Sequence, residues 1–157
     1  MLFLCINVAK VNARGVCHYF STKETDWSTA LQICQENGLC LADLNKKEHF
    51  SILTWHLQGG DRTEYWFGLN HFLSNSLKYV GNNLPVRFIP ESGNTDTDGN
   101  RQCGYIKPVT DSFTIAMADC SEKKRFICAE SIACNSIHTN STYSSGYFVW
   151  PSCNWGE

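Results

Sequence analysis

Cysteine sets the terms on which this chain can fold. There are nine in 157 residues, and none is grouped as the Cys-x-x-Cys pair that a zinc cage or a dithiol redox site needs. Cysteines scattered at this density read as disulfides, which persist in oxidising compartments. Three of them, Cys103, Cys120 and Cys128, share one stretch, in which the apolar runs 104–106 and 125–129 read as strands on either side of a polar loop. The third of these cysteines needs a partner from elsewhere, and Cys34, far upstream in a helical pattern, has the right surroundings.

At this length the chain holds one domain with a real core and a tail. Thirteen basic against fifteen acidic residues leave a net charge of −2, so no long-range field draws it to nucleic acid or to an anionic membrane. No run of ~18 apolar residues occurs, hence no transmembrane helix is expected. The opening Met1-Leu2-Phe3-Leu4-Cys5-Ile6 is apolar and Val11-Asn12-Ala13 offers a small-residue cleavage site. Residues 1–13 therefore read as a signal peptide or its remnant; an N-terminal strand is the other reading. Cleavage after Ala13 would remove Cys5 and leave eight cysteines, an even set.

Local pattern then predicts the elements in turn. Residues 15–21 read as a short aromatic strand and 22–24 as a turn. From an N-cap at Thr25 or Asp26, Trp27, Ala30, Leu31 and Cys34 recur at helical spacing, and Asn37-Gly38 stops the helix. Residues 39–44 are extended. Asn45 with Glu48 three residues on looks like a capping box for a second helix with Phe50, Leu53 and Leu57 inward, ended by Gly59-Gly60. Residues 65–69 (Tyr-Trp-Phe-Gly-Leu) read as a buried central strand and 77–80 as another. Residues 81–102 are rich in turn formers with almost nothing to bury, and so long an irregular loop is usually functional. The tail, 131–157, carries Cys134, Cys153, the sequon Asn140-Ser141-Thr142 and several aromatics, and reads as an appended disulfide-closed hairpin with glycosylation at Asn140.

Laid out in this order, residues 16–130 resemble a C-type lectin-like domain. The likeness rests on His18-Tyr19-Phe20-Ser21, the helix ending in Cys34, Trp66-Phe67-Gly68-Leu69 in place of the family's Trp-Ile-Gly-Leu, Cys103, Cys120 and Phe126-Ile127-Cys128. It implies an α+β fold, with two helices packed on small antiparallel sheets and a long irregular loop, over a domain spanning 14–130. It also implies bridges Cys34–Cys128 and Cys103–Cys120. Of the remaining cysteines, Cys17 is paired with Cys40, whose flanking strands must converge around the first helix, and Cys134 with Cys153. A Cys5–Cys17 bridge, like that of the family's long forms, is the rival.

In sugar-binding members of this family, a calcium ion in the long loop takes oxygens from a Glu-Pro-Asn or Gln-Pro-Asp tripeptide, an acidic residue before the third cysteine and a Trp-Asn-Asp triplet. A hard cation wants ~6 to 8 oxygens. At the corresponding positions stand Ile115, Ala116 and Met117, which offer none, and Arg101, a fixed positive charge. Pro90-Glu91-Ser92 is the nearest thing to the tripeptide, out of order. No metal and no other cofactor is therefore expected. Asn94, Asp96, Asp98 and Gly99 do have the opening spacing of an EF-hand loop, but Tyr105 stands where its bidentate Glu belongs. A solvated acidic turn is the expectation, and weak calcium contact by these oxygens stays open.

Catalytic patterns are missing as well. The five histidines are dispersed; only His49 and His56 share a helix face, ~10 Å apart along the axis and too far to chelate one ion. No nucleophile elbow, phosphate loop or His-Glu-x-x-His is present. The chain is thus expected to be a secreted binding protein, not an enzyme, for a carbohydrate or glycoprotein ligand, using Arg87, Glu91, Asn94, Asp96, Asp98, Arg101 and Tyr105. The alternative is a non-sugar protein-binding or inhibitory module of the same fold, acting through the long loop or the aromatic tail.

Overall fold

Every position of the run Tyr65–Asn70 is buried, which a strand achieves only when both faces of its sheet are covered. The computed structural model describes residues 16–57, 62–73, 75–82, 84–130, 134 and 152–154. Residues 1–15 (which include the expected leader), the Gly59-Gly60 helix stop, Asn140 and most of the tail lie outside them. In chain order the elements are β1 (Val16–Phe20), α1 (Trp27–Glu36), β2 (Cys40–Leu41), α2 (Lys47–Leu57), β3 (Tyr65–Asn70), β4 (Lys78–Tyr79), β5 (Arg101–Val109), β6 (Ser112–Asp119), β7 (Arg125–Ala129) and β8 (Ser152–Asn154). The main sheet runs β6-β5-β3-β7-β1-β8, with β2 on β7 and β4 on β3. All pairings are antiparallel except β3 with β7.

Alternation along the strands divides the core in two. On one face Trp66, Cys103, Tyr105, Phe126 and Cys128 pack with Trp27, Ala30 and Cys34 of α1. On the other, Tyr65, Phe67, Leu69, Ile106, Ile115, Met117 and Ile127 pack with Phe50, Leu53 and Leu57 of α2. The central strand is apolar on both sides because each helix claims one. Its glycine is obligatory: a Cβ on Gly68 would sit 2.9 Å from the Leu41 carbonyl oxygen and 3.0 Å from that of Ala42.

α1 is capped as its sequence predicts. Asp26 accepts from the Thr29 N–H at 2.9 Å, and at the other end Leu39 N–H donates to Cys34 O at 2.8 Å and Gly38 N–H to Gln35 O at 3.0 Å. That double closure needs a left-handed residue, and Gly38 supplies it with φ +72°. α2 differs from expectation at its start. Asn45 does not cap it; its side-chain oxygen accepts from the backbone N–H groups of Arg87 and Phe88, and its amide donates to Pro85 O at 2.9 Å.

The polar loop expected between the strands at 104–106 and 125–129 instead contains all of β6, an eight-residue strand paired along β5. The cysteine pairing also needs correcting. Cys34 joins Cys128 and Cys103 joins Cys120, but Cys40 joins Cys134, Cα to Cα 5.5 Å, in place of Cys17–Cys40 and Cys134–Cys153. β1 and β2 both pair with β7, His18 and Cys40 each facing Ala129, from opposite edges. Two strand spacings of ~4.8 Å hold Cys17 and Cys40 beyond the ~7 Å reach of a disulfide. Cys134, five residues past Ala129, falls beside Cys40 instead. Cys134 thus ties the chain just past β7 back to β2, and β8 adds an outer strand against β1.

Candidate ligand-binding site

The long loop is built onto the domain from both ends. Asn45 holds its beginning, and Val86, Phe88 and Ile89 pack against the α2-side core, Phe88 with its ring centroid 5.8 Å from that of Phe50. These apolar residues anchor a segment that reads from the sequence as having almost nothing to bury. Further on, the loop lies along the free edge of β6: Asn94 N–H donates to Ile115 O at 2.9 Å, and the Ser92 and Thr114 hydroxyls are 2.9 Å apart. Covering an edge strand in this way removes an aggregation-prone surface. Asp96 N–H then donates to Asn94 Oδ1 at 2.9 Å, a turn that sets both side chains at the surface. Gly99, at φ +60°, turns the chain into β5.

Between this loop and the β5–β6 ladder lies an open cavity of about 180 Å³. Asn94 and Asp96 line it from the loop; Arg101, Tyr105 and Lys107 line it from β5; Ala116 and Met117 line it from β6. Of the seven residues expected at a site, four are therefore brought together. Asp98 stands just outside, its carboxylate 3.7 Å from the Arg101 guanidinium. Arg87 and Glu91 are exposed and do not line the cavity. Lys107 is the lining residue that the sequence reading lacked. Its signal was the two-residue spacing from Tyr105 along one strand, visible only once β5 is known to run to Val109.

Tyr105 is held from behind. Lys124, only 6% exposed, places its ammonium 4.3 Å from the Tyr105 ring centroid and 5.3 Å from that of Trp66. Glu64 Oε2 at 2.5 Å and Glu122 Oε2 at 2.8 Å neutralise that ammonium. A buried cation on ring faces with two carboxylate partners is a satisfied arrangement. Burial would lower the Lys124 pKa, but its bonds to Glu122 and Glu64 outweigh this and hold it above the ordinary lysine value. Burial and then the Glu64 carboxylate push the Tyr105 phenol up, against the pull of Lys124. The phenol thus stays protonated through neutral pH.

The position of Ala116 and Met117 in the lining matters for metal chemistry. The family resemblance leads one to expect a calcium-ligating Trp-Asn-Asp triplet to overlap these two positions, and their side chains present carbon and sulfur only. Among the described residues no three of His, Cys, Asp and Glu are grouped so as to hold a metal ion. What the cavity offers is hydrogen-bonding oxygen and nitrogen, two cationic arms and an apolar floor. No described helix is long and apolar enough to cross a membrane.

Comparison with known proteins agrees with the fold. Solved structures that superpose on this chain include the mouse scavenger receptor C-type lectin carbohydrate-recognition domain, with TM-score 0.62 and 22% identity over 74% of this chain and 88% of that one. Herring type II antifreeze protein gives TM-score 0.62 and 18% identity, covering 76% and 93%. The Ca2+-independent C-type lectin SPL-2 from Saxidomus purpuratus gives TM-score 0.60 and 17% identity, covering 73% and 85%. Residues 23–130, more than half of the chain, match the family described as the lectin C-type domain. With its helix-covered sheet, its Cys34–Cys128 and Cys103–Cys120 bridges and that match, the chain belongs to the C-type lectin domain family.

Proposed function

We propose that this protein is a secreted lectin-like binding protein whose cavity takes a carbohydrate, free or on a glycoprotein, without calcium. The observation that carries this reading is the lining itself. Asn94 and Asp96 supply amide and carboxylate groups suited to sugar hydroxyls, Ala116 and the edge of Tyr105, a ring only 9% exposed, supply apolar contact for sugar C–H groups, and Ala116 and Met117 offer no side-chain oxygen to a metal. The likeness to a carbohydrate-recognition domain and to a Ca2+-independent lectin supports it. Residues 1–13 act as the secretion signal, 14–130 form the binding domain, and 131–157 form a glycosylated extension. Disulfides among the described residues suit an extracellular setting.

A screen of the purified protein against a glycan array, in calcium and in chelator, tests this. The expected result is selective binding that survives chelation. Silence under both conditions contradicts the sugar reading and favours the non-sugar, protein-binding alternative, for which the likeness to an antifreeze protein is the supporting observation. Binding that vanishes in chelator contradicts the calcium-free part alone.

A further inference from the structure

We propose that the sugar taken by this cavity is an acidic one, carrying a carboxylate or sulfate that Arg101 and Lys107 recognise. This rests on the carbohydrate reading above and extends it. Asn94, Asp96 and Tyr105 already meet the needs of a neutral sugar, so the two cations in the same lining call for a separate account.

Lys107 is exposed and makes no ion pair among the described residues. Arg101 has one ion pair, with Asp98 at 3.7 Å, and both side chains are open to water, at 50% and 87% exposure. Exposed pairs of this kind contribute little and exchange readily for a better-placed anion. Against these two charges the lining sets one carboxylate, Asp96. Asp98, just outside the lining, offsets Arg101, so the local charge is level in a chain at −2, and Lys107 is the cation left without a carboxylate partner among the described residues. Affinity for an anion here must come from contact at this site and not from the general field of the molecule.

Placement refines the ligand. Arg101 and Lys107 sit at either end of the segment of β5 that carries Tyr105, and Ala116 is the register partner of Tyr105 on β6. The cations thus approach the cavity from its two ends with the ring and the alanine methyl between them. A bare inorganic anion has nothing to place on that apolar centre. A sugar ring has, and an acidic substituent then reaches one cationic arm, bidentate if that arm is the Arg101 guanidinium. Asp96, on the loop side, accepts from ring hydroxyls and disfavours a second anionic group there. The cavity is small against the several hundred Å³ usual for drug-sized ligands, which suits one saccharide unit with its neighbours in solvent.

The test uses the full chain in chelator against matched oligosaccharides in neutral, carboxylated and sulfated forms, with Arg101→Gln, Lys107→Gln and a control, Lys47→Gln on α2. All three positions are exposed, so melting temperatures should match the parent's. The expected result is that an acidic form binds at least about tenfold tighter than its neutral parent. Arg101→Gln or Lys107→Gln should remove most of that preference and Lys47→Gln none. Whether the carboxylated or the sulfated form leads identifies the acidic group. Equal binding of neutral and acidic forms, or a preference that both site variants keep, overturns this inference and leaves the carbohydrate reading standing. Failure to bind any form overturns both.

Discussion

At the scale of single residues, Lys124 and Asp26 show how charge is used in a domain of nearly neutral balance. Truncating Lys124 to Ala strands the Glu64 and Glu122 carboxylates and empties the space beneath Tyr105 and Trp66. Because both carboxylates keep solvent contact, the expected loss is about 2 kcal/mol rather than the full penalty of a broken buried pair; Lys124→Met, which keeps the stem, should lose less. Urea unfolding checks both. The folded-state pKa of Lys124 is raised, so its stabilisation is complete below the unfolded value near ~10.4 and is lost as pH rises through the folded value. The wild type should therefore lose stability in strong alkali by an increment that Lys124→Met lacks. Asp26 has the opposite sign. Burial would raise its carboxyl, but the Thr29 N–H and hydroxyl and the Lys123 ammonium outweigh it and hold the value down. Its contribution is present above the unfolded value of ~3.9 and lost as pH falls through the folded one. Asp26→Ala should cost about 1 kcal/mol at neutral pH, with a shallower acid limb in the unfolding curve.

Among the elements, the α1 helix and the central strand were legible in the sequence because their signals are local. Trp27, Ala30 and Cys34 keep helical spacing, and Asn37-Gly38 carries its own stop. Asn45 departs from its local pattern because Asn-x-x-Glu describes a cap only if the side chain turns back on its own helix, and here it reaches some forty residues ahead to the long loop. β6 was hidden for a related reason. Phe113, Ile115 and Met117 alternate with Ser112, Thr114 and Ala116, but with Ser, Thr and Ala as the alternate set the run reads as weakly polar until β5 pairs with it. Asn45→Ala should release the loop's entry. We expect faster hydrogen exchange at the Arg87 and Phe88 amides, a stability loss of about 1–3 kcal/mol and weaker ligand binding. Unchanged exchange at those amides would contradict the latch.

For the whole molecule, the cysteines constrain the fold as forcefully as the sequence suggests, although two of the bridges expected from it do not form. Partner choice depends on which edge of β7 each strand takes, and no local pattern carries that. Cys34–Cys128 and Cys40–Cys134 each span 94 residues. Once the first is closed, the second closes only a small ring through two six-residue connections, Cys34 to Cys40 and Cys128 to Cys134. On the loop-entropy model its removal should cost at most ~3 kcal/mol, against ~4 to 5 kcal/mol for the first bridge formed; thermal unfolding of a Cys40→Ala, Cys134→Ala double variant checks this. Cys17 is also disulfide-bonded, and Cys153 is its register partner across β1 and β8. Mapping under non-reducing conditions should recover Cys17 linked to Cys153; a Cys5–Cys17 peptide would contradict it.

The candidate cavity was partly legible for the same physical reasons. Asn94, Asp96, Arg101 and Tyr105 announce themselves as polar or aromatic residues near a loop, whereas Lys107 joins them only through strand register. The chain has a C-type lectin frame, and we propose that its loop site works without calcium. Measuring the melting temperature in excess calcium and in chelator tests that claim without knowledge of the ligand. An ion held by the native state at 100 times its Kd would stabilise it by ~2.7 kcal/mol, a rise of several degrees for a domain of this size. Coincident melting curves are expected; a rise of that order in calcium would contradict calcium-free binding.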